Sequence, residues 1–200
     1  MSGIIAQNVG RHGGLIKASS GGGGAWTLIS TVTSDGSDAS LSFTSGIDST
    51  YDEYVFVFNN IHAETNSAQL MFQVNADGES GFNETITSTF FYTYHNEIDT
   101  AAALAYVAGF DQGQGTSYQQ LGELGDSNDF CGDGYLHLFN PSSTTFVKHF
   151  MARLASGEGV YIKDNHCAGY INTTAAITEI DFKMSADEIQ GGSISLYGIG

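Results

Sequence analysis

Short stretches in which apolar and polar residues alternate, separated by turn sequences, run through most of this chain. One of the clearest is ASLSFT at 39–44, which follows the turn sequence SDGSD at 34–38 and places Leu41 and Phe43 on one face. Side chains of a β-strand point alternately to its two faces, so a period of two residues predicts strands rather than helices. Roughly ten such stretches predict an all-β protein with antiparallel strands packed as a sandwich.

The predicted strands fall at 26–33, 39–44, 53–61, 68–74, 87–95, 135–140, 145–155, 159–163, 168–172, 177–184 and 193–199. The stretch EYVFVFNNI at 53–61 is apolar on both faces, which predicts a strand in the centre of a sheet. We expect the strand at 68–74 to pair with it across a short loop. The chain has 200 residues, of which 41% are hydrophobic and 12% aromatic, and these suffice for one domain with a core.

Two segments are less regular. Residues 99–110, DTAAALAYVAGF, fit a short helix that begins at Asp99 or Thr100 and fit a strand equally well. Residues 111–134 are predicted to form a loop that contains one strand near 118–121.

The first 24 residues, MSGIIAQNVGRHGGLIKASSGGGG, differ from the rest of the chain. Too many glycines interrupt them for a stable helix, and they are too apolar for a simple linker. We therefore expect an extended arm that docks on a partner, with Gly21–Gly24 as a flexible joint to a domain at 25–200. The side chains expected to bind the partner are Ile4, Ile5, Val9, Arg11, Leu15, Ile16 and Lys17.

The charge of the chain excludes several classes of partner. Its formal net charge is −16, and all 22 acidic residues lie after residue 24, whereas Arg11 and Lys17 lie before it. An acidic surface repels nucleic-acid phosphates and anionic bilayers, so no nucleic acid and no membrane are expected as partners. No apolar stretch approaches the length of a membrane span, and the first residues lack the pattern of a secretion signal.

Sequence motifs of catalysis are lacking, because the chain contains no nucleophile elbow, no zinc-protease motif, no phosphate-binding loop and no dinucleotide fingerprint. We therefore expect neither an enzyme nor a cofactor. The loop GDSNDFCGDG is a minor candidate for a calcium site, although solvated turn residues are the favoured explanation; its oxygen ligands would be Asp126, Asn128, Asp129 and Asp133. Cys131 and Cys167 are expected to be free thiols rather than one late disulfide.

The strand TSTFFYTYH is unusually aromatic. Tyr92 and Tyr94 on it are candidates for a glycan-binding platform, because sugars stack on aromatic rings; packing of one face into the core is the ordinary alternative.

Two parts of the chain resemble a known group of proteins. The arm MSGIIAQNVGRHGGLIKA resembles the N-terminal arm of structural and fibre-like proteins of tailed bacteriophages. FNPSSTT at 139–145, TTAAITEIDF at 173–182, GGSISLYGI at 191–199 and the stretch 51–74 resemble a β-sandwich module of phage virion proteins. The resemblance implies a jelly-roll-like β-sandwich, assembled as a homo-oligomer with a trimer favoured, in a virion assembled in the host cytoplasm. It brings no catalytic residues.

The resemblance also ranks the functions. A non-enzymatic virion structural protein comes first: a capsid decoration or head-fibre protein, or a short tail fibre, whose residues 1–20 bind a capsid protein or a tail- or portal-proximal protein. A receptor- or glycan-binding tip of the phage tail is the alternative, and a small depolymerase with two catalytic carboxylates is third.

Overall fold

The computed structural model describes residues 26–200, so the predicted arm, its seven partner-binding side chains and the glycine joint lie outside the described residues. The described chain forms strands β1 (Thr27–Thr33), β2 (Leu41–Phe43), β3 (Glu53–Ala63), β4 (Ala68–Ala76), β5 (Ile86–Asn96), β6 (Ala102–Tyr106), β7 (Gly113–Gly115), β8 (Gln119–Leu124), β9 (Gly132–Phe139), β10 (Lys148–Glu158), β11 (Tyr161–Ile171), β12 (Ile177–Met184) and β13 (Ile189–Ile199). The prediction of an all-β protein is confirmed. No helix among these residues has the length and apolarity needed to cross a membrane.

The strands form two antiparallel sheets that pack as a sandwich. The large sheet has nine strands in the order β1-β13-β3-β9-β10-β11-β5-β6, with β7 paired to β5. The small sheet has four strands in the order β2-β12-β4-β8. Because the large sheet has more than twice as many strands, the small sheet covers only part of its inner face.

The order in which the strands pair is that of a jelly roll. β1 pairs with β13 in the large sheet and β2 with β12 in the small one; β3 then pairs with β9 in the large sheet and β4 with β8 in the small one. Each pair lies inside the previous one along the chain, and successive pairs alternate between the two sheets. This is the arrangement of an eight-stranded jelly roll, in which one long hairpin is wound into two sheets. β5–β7 and β10–β11 are insertions that extend the large sheet.

The core between the sheets is centred on phenylalanines. The Phe182 ring on β12 lies 5.4 Å, centroid to centroid, from Phe56 and from Phe58 on β3. Phe43 on β2 contacts Phe56 at 5.4 Å, and Phe72 on β4 contacts Phe150 on β10 at 5.0 Å. Since these side chains are almost fully buried and join both sheets, they hold the sandwich together.

The expectation for β3 is confirmed and that for β4 is wrong. β3 lies between β13 and β9 in the large sheet, as a strand that is apolar on both faces should. β4, however, belongs to the small sheet, where it pairs with β12 and β8. Both edges of β3 are already paired, so the short connection after Ala63 carries the chain across to the opposite sheet.

The irregular segments also form strands. Residues 99–110 contain β6 followed by a 3-10 turn at Ala108–Phe110, so they extend the edge of the large sheet instead of forming an α-helix. The strand expected near 118–121 is β8. The short strand β7, in the glycine-rich stretch before it, was predicted as loop.

Candidate functional site

The first candidate surface is the face of the large sheet that is turned away from the small sheet, here called the outer face. Strand register assigns side chains to it, because residues directly opposite each other in antiparallel strands share a face. One row of paired residues runs Leu28, Tyr197, Val55, His137 and Met151 across five strands. A second row runs Ser195, Val57, Tyr135, Arg153, His166, Phe91 and Tyr106.

Exposed large apolar side chains concentrate on the outer face; they are Trp26, Leu28, Phe91, Leu104, Tyr106, Tyr135, Met151 and Ile162. Those found elsewhere among residues 26–200, namely Ile98, Phe146, Val160 and Tyr161, lie in loops or at a strand end. The solvent face of an antiparallel sheet is normally polar. A sheet face that exposes this many large apolar side chains is therefore a candidate interaction surface.

Trp26, the first described residue, lies on the outer face. Its ring is 5.6 Å from the ring of Tyr197 on β13 and 6.2 Å from that of His137 on β9. Val55 lies between these two residues in the register and is fully buried although it points outward. The 25 residues that precede Trp26 thus join the body at this face.

Charged groups on the outer face accept or donate hydrogen bonds within the chain. Glu53 accepts a hydrogen bond from His137, and Asp133 accepts one from the backbone N–H of Asn60 at 2.8 Å. Asp164 accepts two hydrogen bonds from the Arg153 guanidinium, at 2.7 and 2.8 Å. The hydrogen bond from Arg153 holds the pKa of Asp164 below its usual value, so this carboxylate stays ionised.

The second candidate surface is a cleft on the inner face of the large sheet, beyond the point where the small sheet ends at β8. Tyr92 and Tyr94 on β5 face this side, as does Tyr161 at the start of β11. With Lys163 and Glu158 they line a cleft of about 260 Å³, here called the tyrosine cleft. The cleft exists because no strand of the small sheet covers this part of the large one.

The three tyrosine rings of the cleft form a continuous row. The Tyr92 and Tyr94 centroids are 6.0 Å apart, and Tyr94 meets Tyr161 edge to face at 5.6 Å. The ammonium group of Lys163 lies 5.5 Å from the centroid of the Tyr92 ring, within the range of a cation–π interaction. These contacts hold the rings in place without fully burying them.

Lys163 and Glu158 form the polar wall of the tyrosine cleft, and Glu123, which does not line the cleft, bonds to the same lysine. Lys163 is only 8% exposed, and its ammonium group donates to Glu123 on β8 and to Glu158 at the end of β10. Burial alone would lower the pKa of Lys163, but hydrogen bonds to both carboxylates outweigh it and raise the pKa. Burial raises the pKa of Glu158, whereas hydrogen bonds from Lys163 and Ser67 leave it below the usual value.

The calcium site considered for residues 125–134 is not assembled. Within residues 26–200 no three His, Cys, Asp or Glu side chains gather as metal ligands would, so Asp126, Asp129 and Asp133 do not converge. Asp126, Asn128 and Asp129 are exposed loop residues.

Both cysteines of the described chain are unpaired. Burial raises the pKa of the Cys167 thiol to about 12, and burial with the nearby Asp133 carboxylate raises that of Cys131. The reactive form of cysteine is the thiolate, so neither environment favours a nucleophile.

The structure thus brings together two of the residues singled out in the sequence, Tyr92 and Tyr94, and adds Tyr161, Lys163 and Glu158 to them. Nothing in the sequence signals those three, because they come from other strands and meet only through the register of the sheet. Comparison of the chain with protein-family models and with curated proteins finds no match.

Proposed function

We propose that this chain is a non-enzymatic structural protein of a tailed-bacteriophage particle, a capsid decoration or head-fibre protein or a short tail fibre, and that its copies associate through the outer face. The observation that carries the proposal is the exposed apolar surface across the large sheet. A protein whose main interaction surface is a broad sheet face, rather than a deep pocket with convergent reactive groups, is suited to assembly.

A second copy of the chain is the partner that fits the outer face. The protein as a whole is strongly acidic, with a net charge of −16, so most contacts between copies are repulsive. On the outer face, in contrast, Asp164 is paired with Arg153 and Glu53 is hydrogen-bonded to His137, while Asp133 accepts only a backbone N–H. Contact between such faces supports a homo-oligomer, and the resemblance to phage virion proteins favours a trimer.

The resemblance of residues 1–18 and of the C-terminal third to phage virion proteins supports the virion location. The jelly roll is also a common architecture of viral capsid proteins, although a fold by itself carries no function. Residues 1–20 would bind another virion protein, of the capsid or close to the tail or portal.

The substitution Met151→Asp tests the assembly surface. Met151 lies on β10 near the middle of the outer face and is 57% exposed, so the change should hardly affect the fold. A carboxylate buried between copies lacks a partner, and we expect self-association to weaken about a hundredfold or more. Sedimentation velocity on the full chain measures the change.

The matched control is Ile98→Asp, because Ile98 is 69% exposed and lies outside the outer face, in the turn between β5 and β6. We expect this variant to associate like the unchanged protein. A protein that stays monomeric at about 100 μM, where association of modest affinity is already populated, would overturn the proposed assembly. Equal effects of the two substitutions would also overturn it.

Deletion of residues 1–20 tests the anchor. The thirteen strands of the described residues, 26–200, are all retained, so the truncated protein should keep the circular-dichroism spectrum of a β-protein. We expect it to be lost from particles assembled in its presence, because the arm's apolar and basic side chains are gone. Mass spectrometry of purified particles counts the copies, and incorporation at the level of the full chain would show the anchor to lie elsewhere.

A further inference from the structure

We propose that the tyrosine cleft binds a neutral glycan. The inference concerns a different surface from the outer face and does not depend on the proposed role in assembly. It rests on three features of the cleft: a row of partly exposed aromatic rings, hydrogen-bonding groups held at their side, and the sign of the local charge.

The aromatic row suits the apolar faces of sugar rings. Tyr92, Tyr94 and Tyr161 lie next to one another with centroid separations of 6.0 and 5.6 Å, so the row is long enough for more than one sugar unit. Aromatic side chains combine a large apolar surface with a polar tip, and each tyrosine hydroxyl can also donate and accept a hydrogen bond. Here the three rings line an open cleft, where their faces are accessible to a ligand.

The polar wall supplies fixed acceptors for sugar hydroxyls. Glu158 accepts hydrogen bonds from Ser67 and Lys163, and Glu123 accepts one from Lys163. An ionised carboxylate has about four acceptor positions, so Glu158, which lines the cleft, retains capacity for a ligand. Both carboxylates are partly exposed: 26% of the Glu123 side chain and 20% of the Glu158 side chain are accessible to solvent. Since the lysine orients them before binding, a ligand meets groups that need little rearrangement.

The charge of the wall determines which class of glycan fits. Two carboxylates face one ammonium group, so these three groups carry a net charge of −1, within a protein of net charge −16. Lys163 is already engaged twice and is not available to neutralise an anionic ligand. Uronate and sialate units would be repelled, whereas neutral hexoses carry only hydroxyls, which the carboxylates accept.

The same wall favours binding over hydrolysis. A glycosidase needs one carboxyl group that remains protonated near neutral pH, which requires a raised pKa. Hydrogen bonds from Lys163 and Ser67 leave the pKa of Glu158 below its usual value despite its burial. Glu158 is therefore an acceptor and not a proton donor.

Saturation-transfer NMR on the full chain tests the proposal with hexasaccharides of glucose, mannose and galactose as neutral probes and oligoalginate as the anionic probe. We expect at least one neutral probe to bind at millimolar concentrations. The substitution Tyr94→Ala removes the middle ring of the row and should weaken binding about tenfold or more, whereas Tyr94→Phe keeps the ring and should change it less than about threefold.

Tyr106→Ala is the matched control. Tyr106 is an exposed tyrosine on the adjacent strand β6 but points to the outer face, so its loss should leave glycan binding unchanged even where it weakens self-association. Thermal melts of the two alanine variants verify that both are folded. Binding of the anionic probe alone, binding of no neutral probe at 10-fold molar excess over about 1 mM protein, or equal binding by Tyr94→Ala and Tyr106→Ala would overturn the proposal.

Discussion

Replacement of Phe56 by aspartate is expected to leave the body largely unfolded in the absence of denaturant. Phe56 is fully buried on β3 and its ring contacts Phe43 and Phe182, so the substitution removes contacts with two strands of the opposite sheet. Loss of a buried phenylalanine side chain costs about 3–5 kcal/mol, and burying a carboxylate adds to this. The total is comparable with the stability of a typical domain, about 5–15 kcal/mol.

The milder substitution Phe56→Ala measures how much the Phe56 side chain contributes to the stability of the fold. We expect it to lower the free energy of unfolding by about 4 kcal/mol, measured by urea denaturation followed by circular dichroism. Val57 is the matched control because it is the next residue on β3, points to the outer face and is only half-buried. Val57→Ala should cost about 1 kcal/mol. Similar losses for both variants would mean that the core does not lie on the Phe56 side of β3.

Replacement of Lys163 by methionine is expected to lower the free energy of unfolding by about 2–3 kcal/mol at pH 7. Methionine keeps the packing of the aliphatic stem but removes the ammonium group, which donates a hydrogen bond to Glu123 and another to Glu158. Both carboxylates are then partly buried side by side with no cation between them. Removing one partner of such a cluster costs more than the cluster contributes, because the remaining charges stay desolvated.

The effect of pH separates this explanation from a loss of packing. In the unchanged protein the pKa of Glu158 lies below its usual value of 4.5, so its contribution to stability is present above that value and is lost as pH falls through the folded-state pKa. In the Lys163→Met variant, burial and the neighbouring carboxylate act without the lysine. Both effects raise the pKa of the Glu158 carboxyl group in the folded variant. Protonation as the pH falls towards 4.5 removes the unfavourable charge, so acidification should stabilise this variant.

We therefore expect the difference in unfolding free energy between the two proteins to shrink to less than about 1 kcal/mol near pH 4. Lys183→Met is the matched control. Lys183 lies on β12, and its ammonium group is 4.0 Å from the centroid of the Tyr118 ring. We expect this substitution to lower the free energy of unfolding by less than about 1 kcal/mol at any pH. An undiminished difference at pH 4 would show that unpaired carboxylates are not the cause.

The local sequence pattern predicted most of the strands, although the two strands predicted at 159–163 and 168–172 are one continuous strand, β11. The alternation of Leu41 and Phe43 and the doubly apolar stretch at β3 predicted strands that the structure contains, because burial of alternate side chains is a property of a single strand. The placement of β4 could not be predicted in the same way. A short connection suits a hairpin as well as a crossing between sheets, and only the pairing of β3 with β13 and β9 excludes the hairpin.

The burial of charged side chains could not be predicted from the local sequence pattern either. Lys148 is fully buried, with its ammonium group bonded to the carbonyl oxygens of Thr173 and Ala175, which come from the connection between β11 and β12. A lysine at the start of a strand is normally exposed, and nothing near it in the sequence marks these distant acceptors. Lys163 is a second case, since its partners come from β8 and β10.

The sequence by itself determined that the chain forms an acidic, antiparallel β-sandwich, because composition, charge and the period of two residues act locally along the chain. Only the tertiary structure decided which faces remain uncovered. The nine-stranded sheet is wider than its four-stranded partner, and this mismatch leaves the tyrosine cleft open. The strand register places methionine and tyrosine side chains on the outer face, where Trp26 also packs. Both surfaces arise from contacts between residues far apart in the chain, which no short stretch of sequence specifies.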